Sequence, residues 1–201
     1  MLNIPEYKEY AGETKIALMD NSSLAFMHEL SQRSYPSDGI LSVYDLILIP
    51  KWVMEEIEDS TYRSTYVEQL QAQGYPIRWI DETKYGAFVN DEDVNLYYII
   101  EAAVSRVSEL MRFLRRKVKT EDLIDLPSAE EWMNRLYDEW PIHGRTLSTG
   151  RTLKKNAGEI SLTILAEIFA WYHDGVDSLT IYTQDTDCLL YTSPSPRDLS
   201  T

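Results

Sequence analysis

Four acids stand where apolar runs end or where helical patterns begin: Asp20, Glu56, Glu159 and Asp185. Asp20 closes KIALMD, Glu56 lies one turn into KWVMEEIEDS, Glu159 opens EISLTILAEIFAWYHDG, and Asp185 follows LTIYT. Carboxylates gathered at one place repel one another and raise their own pKa values unless a cation neutralises them. Oxygen donors without His or Cys suit Mg2+ or Mn2+ rather than zinc. The chemistry served by such a centre is attack of metal-activated water on a phosphodiester. Each acid also has a plain structural reading. Asp20 can cap the helix that follows it, and Glu56 can be one of several surface acids in EEIED. Glu159 gains from the helix macrodipole with or without a metal, and Asp185 fits a turn in TQDTD. Capping alone does not require all four to fall at element ends.

The elements that must position these acids alternate. KIALMD reads as a strand passing into the helix SSLAFMHELSQ, and DLILIP as a second strand closed by Pro50, where a helix begins. A polar helix over 62–73 ends at Gly74, and YPIRWID reads as a third strand. Residues 91–119 form the longest helical pattern, with Ile100, Ala103, Val104, Val107, Leu110, Met111, Leu114 and Val118 on one stripe. Ser128 and Glu131 make a capping box for another helix. WPIHGRTLSTGRTLKKNAG reads as irregular, and a final helix and the strand SLTIYT follow. Nearly continuous apolar strands alternating with helices predict an α/β fold whose parallel sheet is covered on both faces. In such a sheet the carboxyl ends of the strands converge on one crevice.

The chain has 201 residues, 44% of them apolar, enough for one core. With 19 Lys+Arg against 33 Asp+Glu its net charge is −14, a global field that repels phosphate. A phosphate site here must therefore be local. Between Trp140 and Gly158 the bases Arg145, Arg151, Lys154 and Lys155 occur without an acid and lead directly into Glu159, which makes them the candidate phosphate-positioning residues. The alternative is a solvated loop. The bases from Arg112 to Lys119 fit a solvated helix end that complements the dipole. The five Trp residues show no interleaving with bases that would suggest a stacking platform, and His28, His143 and His173 lack ligand spacing.

The last residues change character. CLLYTSPSPRD, Cys188 to Asp198, resembles the translation of a sequencing adapter, which predicts a natural domain over 1–187 and a non-native or disordered tail over 188–201. Removing that tail leaves the net charge unchanged and takes away the single cysteine, Cys188, so no thiol chemistry is expected. A disulfide framework and a Cys-rich zinc site are excluded either way. The start of the chain has no signal-peptide pattern and no apolar stretch is long enough for a membrane span, so a cytoplasmic location without membrane partners is expected.

Three patches together resemble the PIN-like domain nucleases. The first is an apolar strand followed by Asp-x-Ser, given by Asp20 and Ser22; the second is Ile-Pro-x-x-Val-x-x-Glu-Ile, given by Ile49, Pro50, Val53, Glu56 and Ile57. The third is an acid, a small residue seven positions on and a strand ending Thr-x-Asp, given by Glu159, Ala166, Thr183 and Asp185. The resemblance implies a three-layer fold with strand order 3-2-1-4, its fifth strand lost by truncation, and a helical insertion over about 91–140. It implies that Asp20, Glu56, Glu159 and Asp185 are catalytic and hold Mg2+ or Mn2+, with Asp187 as a fifth ligand. Ser22 and Thr183 become the hydroxyls that orient carboxylates or a water. The activity implied is hydrolysis of RNA phosphodiesters, by a toxin paired with an antitoxin or by an RNA-processing enzyme, with a homodimer as a further association. Two alternatives stay open: a PIN-like binding module without turnover, and a DNA-directed carboxylate-dependent nuclease.

Overall fold

The computed structural model describes residues 14–184 except 36, 59, 90–91, 120–122, 148 and 174. Asp185, Asp187 and the segment Cys188–Asp198 lie outside the described residues. The chain begins with β1 (Thr14–Met19), helix α1 (Asn21–Gln32) and a 3-10 helix over Asp38–Val43. Strand β2 (Leu46–Pro50), helices α2 (Lys51–Ile57) and α3 (Thr61–Ala72) and strand β3 (Ile77–Ile80) follow. A second 3-10 helix, Glu82–Phe88, leads to α4 (Glu92–Val104), α5 (Ser108–Lys117) and α6 (Ala129–Asp138). The hairpin strands β4 (His143–Thr146) and β5 (Thr152–Lys154) precede α7 (Ala157–Tyr172) and β6 (Val176–Tyr182).

Four strands form one parallel sheet in the order β3-β2-β1-β6. Ile16 to Met19 on β1 and Ile47 to Ile49 on β2 are almost wholly buried. Successive strand side chains point to opposite faces, so burial of every one means that both faces are covered. This is why the two strands read as continuous apolar runs rather than alternating ones. Helices flank the sheet, and α7, buried along most of its length, packs on β1, β2 and β6. No helix among the described residues is long and apolar enough to cross a membrane.

Two expectations are corrected. The single helix over 91–119 is two helices, α4 and α5, because i-to-i−3 backbone bonds from Ser105 and Val107 close the end of α4 and Val107 turns extended (φ −104°, ψ 93°). Ser108 then starts a new helix without losing the apolar stripe, so periodicity alone does not register the break. The stretch read as irregular holds the antiparallel hairpin β4–β5, joined across by Thr146 and Thr152 hydroxyls 3.0 Å apart. Its strands are short and mostly exposed, so they carry no alternation to recognise. The capping box is present, with Ser128 Oγ accepting from the Glu131 N–H, and Gly74 at φ +94° turns the chain out of α3.

Helix α2 has only seven residues, and Pro50 at its N-cap offers no side-chain acceptor. The missing cap comes from a distant element. Glu82, 1% exposed, accepts from the Trp52 N–H at 2.9 Å and from Ser161 Oγ on α7 at 2.7 Å through the same oxygen, Oε1. Ser161 Oγ also meets the Tyr85 hydroxyl at 2.8 Å. Because Ser161 spends its one proton on Glu82, Tyr85 is the donor, a role suited to a buried phenol whose pKa is raised well above 10 by desolvation. Replacing Glu82 by Ala removes the cap and strands the Trp52 N–H and the Ser161 hydroxyl. The expected loss is about 2 kcal/mol or more in urea unfolding. Glu82→Gln keeps the carbonyl acceptor and should lose less; a Glu82→Ala midpoint equal to that of the parent would remove this clamp from the account.

Candidate functional site

Asp20 is the first residue beyond β1, and its N–H is held by the Tyr182 carbonyl at 3.0 Å, which fixes it beside the end of β6. The side chain, 6% exposed, caps α1 by accepting from the Ser22 N–H at 3.2 Å. The same oxygen, Oδ2, accepts from Ser22 Oγ and, at 3.4 Å, from Thr183 Oγ1. Ser22 Oγ in turn accepts from the Gln184 N–H at 3.0 Å. Asp20 is thus both a helix cap and a carboxylate held by two hydroxyls, and the two readings of this residue are not exclusive. Its position follows from the sequence: the apolar run ends, Asp supplies the cap, and α1 leaves the sheet.

Glu56 reaches the same end of the sheet from α2, and Glu159 from the first turn of α7. Gly158 explains how the two helices come so close. A Cβ at that position would lie 3.1 Å from Val53 Cγ2 and 3.4 Å from Glu56 Oε1, so only a glycine lets α7 begin against α2 without displacing Val53. The consequence is electrostatic. Glu56 is pushed up to about 7, first by burial, then by the charges of Glu159 and Asp20. Three of the expected acids are therefore neighbours in one field. Among the described residues, no three His, Cys, Asp or Glu side chains stand close enough together to hold one metal ion. The remaining expected ligands, Asp185 and Asp187, fall beyond Gln184.

Two residues of this site escaped the sequence reading. Asn21 Nδ2 donates to Glu56 Oε2 at 3.3 Å, and Arg63 on α3 donates from a guanidinium NH to Asn21 Oδ1 at 2.6 Å. Both pull the Glu56 pKa down, against the acids. Asn21 carried a weak signal, since it follows Asp20 at a strand end. Arg63 carried none, lying in a polar helix far along the chain.

The hairpin bases divide into two kinds. Arg151 donates to the Glu55 carbonyl and to Glu55 Oε2, each at 3.0 Å, and Tyr137 on α6 donates to that same carboxylate oxygen. Lys154 donates to the Tyr137 carbonyl and lies 3.7 Å from the centre of the Tyr137 ring, its pKa lowered by burial. Arg151 and Lys154 therefore fasten the hairpin to α2 and α6. Arg145 and Lys155 keep exposed side chains, while the Lys155 carbonyl accepts from the Trp140 indole N–H at 2.9 Å. Between hairpin and helices, beside Trp52, Glu55, Glu56, Tyr137, Arg151 and Lys154, is a space of about 10 Å³, room for a single water. Glu55 and Glu56, adjacent in sequence, thus serve different neighbours.

The pKa shifts carry a sign for stability. Glu56 and Glu82 are both pushed from 4.5 to about 7, so the folded chain binds more protons than the unfolded one between those values. Their contribution is full below about 4.5 and is lost as pH rises through about 7. Glu56→Gln removes its share of this slope. Urea midpoints measured across the window should therefore fall less steeply for the variant than for the parent, and the variant should be the more stable above it. Parallel profiles would contradict the assigned crowding. Neither a protein-family model, nor a curated protein, nor a solved structure matches this chain.

Proposed function

We propose that this chain is a PIN-like, metal-dependent ribonuclease that hydrolyses RNA phosphodiesters with Mg2+ or Mn2+. The observation that carries the reading is the raised pKa of Glu56, caused in part by Glu159 and Asp20 at the carboxyl end of a parallel sheet. Crowded carboxylates with oxygen donors alone fit a hard divalent cation in chemistry, and its arrival would relieve their repulsion. The expected ligands are Asp20, Glu56, Glu159, Asp185 and Asp187. When bound, the cation lowers the pKa of a water and shields the phosphate. The chain's own groups do the rest. Ser22 and Thr183 hold the Asp20 carboxylate in one orientation, and Glu56 is the carboxylate that would accept a proton from the attacking water. Arg145 and Lys155, exposed on the hairpin that leads into Glu159, would meet RNA phosphates away from the reacting one. In this reading the chain acts in the cytoplasm, as a toxin held by an antitoxin or as an RNA-processing enzyme, alone or as a homodimer.

A second reading, a PIN-like module that binds RNA without turnover, is favoured by one observation: no three acids among the described residues converge at metal-ligand spacing. Cleavage assays separate the two. The parent chain should cut mixed-sequence RNA when Mg2+ or Mn2+ is supplied. Asp20→Asn, which keeps an acceptor for the α1 cap, and Glu56→Gln should each lower the rate about 100-fold or more. Binding without cutting would select the module, and cutting of DNA alone would select a DNA-directed nuclease. Unchanged cleavage by both variants would overturn the assigned site.

A further inference from the structure

We propose that Arg63, held in place by Asn21, binds a phosphate of the RNA beside the acidic cluster. The identity of the ligand rests on the ribonuclease reading; the anion-binding role rests on geometry. A cluster of carboxylates in a chain of net charge −14 repels a phosphodiester, and a cation of the chain fixed beside the cluster opposes that repulsion. Arg63 is such a cation, close enough to Glu56 to lower its pKa. It differs from four arginines that pair with acids. Arg115 and Arg151 reach carboxylates, Glu101 and Glu55, and Arg33 and Arg135 pair with glutamates one turn away. Arg63 donates instead to a neutral amide oxygen, at 2.6 Å, and makes no ion pair with a described residue.

That choice of partner matters. An amide fixes the guanidinium without cancelling its charge, and a guanidinium has five N–H donors of which this bond uses one. The fork geometry suits phosphate oxygens, which accept two parallel bonds. Asn21 also sets the distance to the chemistry, because its Nδ2 donates to Glu56 Oε2 at 3.3 Å while its Oδ1 receives Arg63. One amide group thus separates the cation from the acid assigned to proton transfer. Asn21 itself is fixed by following Asp20, the cap of α1, and Arg63 lies in the first turn of α3, which packs against α1. The pair is a positioned element of the site rather than a chance surface contact.

The test is equilibrium binding of a fluorescent single-stranded RNA in a buffer without divalent cation, repeated over a range of salt concentrations. Arg63→Gln should weaken binding about tenfold and reduce the magnitude of the log–log salt slope by about 0.7, the loss of one phosphate contact on a single strand. Arg63→Lys should recover part of the affinity, and Asn21→Ala should act in the same direction as Arg63→Gln. Thermal melts establish that each variant is folded. Equal affinity and equal slope for folded Arg63→Gln and parent would overturn the proposal, leaving Arg63 as a neutralising charge only; so would a parent chain that binds no RNA. Cleavage decides the nuclease reading separately. A parent that binds through Arg63 but cuts nothing keeps this proposal and loses the enzyme, whereas Glu56-dependent cleavage with a silent Arg63 does the reverse.

Discussion

One buried carboxylate oxygen holds together the two helices on which the site depends. Glu82 Oε1 receives the Trp52 N–H of α2 and the Ser161 hydroxyl of α7, so a residue outside the site ties the carrier of Glu56 to the carrier of Glu159. A seven-residue helix is too short to persist on its own backbone bonds, since nucleation is costly and few bonds follow it. Its cap must be tertiary because Pro50 supplies none. The contact at Gly158 adds the second constraint: with no Cβ there, α7 starts against Val53 and Glu56. Capping and close approach together decide that two acids more than a hundred residues apart in sequence share one field.

From α2 the consequences spread in two directions. Glu55 faces α6 and the hairpin, where it takes Tyr137 and Arg151; Trp52 stacks on the Tyr137 ring with centroids 4.9 Å apart. Glu56 faces the acids and Asn21. Two adjacent residues on a helix project about 100° apart, so one short element can anchor a hairpin and serve a site at once. The hairpin's bases are correspondingly less available to a ligand than its sequence suggests. Two of its four counted bases are spent on holding it, and the cation beside Glu56 comes from α3.

The sheet was legible because its strands are buried on both faces, which writes them as the unbroken runs IALM and LILI, and because Asp20 and Pro50 mark where those runs stop. Asp20, Glu56 and Glu159 were legible for the same reason: an acid at an element end has a place in a parallel sheet before any side-chain geometry is known. Glu82, Asn21 and Arg63 were not. Each acts through a contact between elements, and neither spacing nor composition encodes which distant helix an arginine will meet. The break between α4 and α5 was hidden by an apolar stripe that continues across it with neither Gly nor Pro at the joint. The hairpin was hidden by strands too short and too exposed to show a period.

A raised pKa alone does not distinguish an acid suited to chemistry from a structural one. Glu56 and Glu82 are each pushed up to about 7. For Glu82 the first cause is desolvation, with a lesser push from the neighbouring Asp81 charge, opposed by hydrogen bonds that include those from Ser161 and Trp52, and the residue is sealed at 1% exposure. No substrate can reach it, and its neutral form still accepts the bonds that hold the helices. For Glu56 the causes include two other carboxylates, and the residue is only partly covered. Packing alone gives no reason to bring like charges together, because an apolar side chain at either position would remove the repulsion. Such a conflict between local stability and local charge is the feature expected where a site is kept for chemistry. Partial exposure and two carboxylates brought in from other elements, not the size of the shift, set Glu56 apart from Glu82.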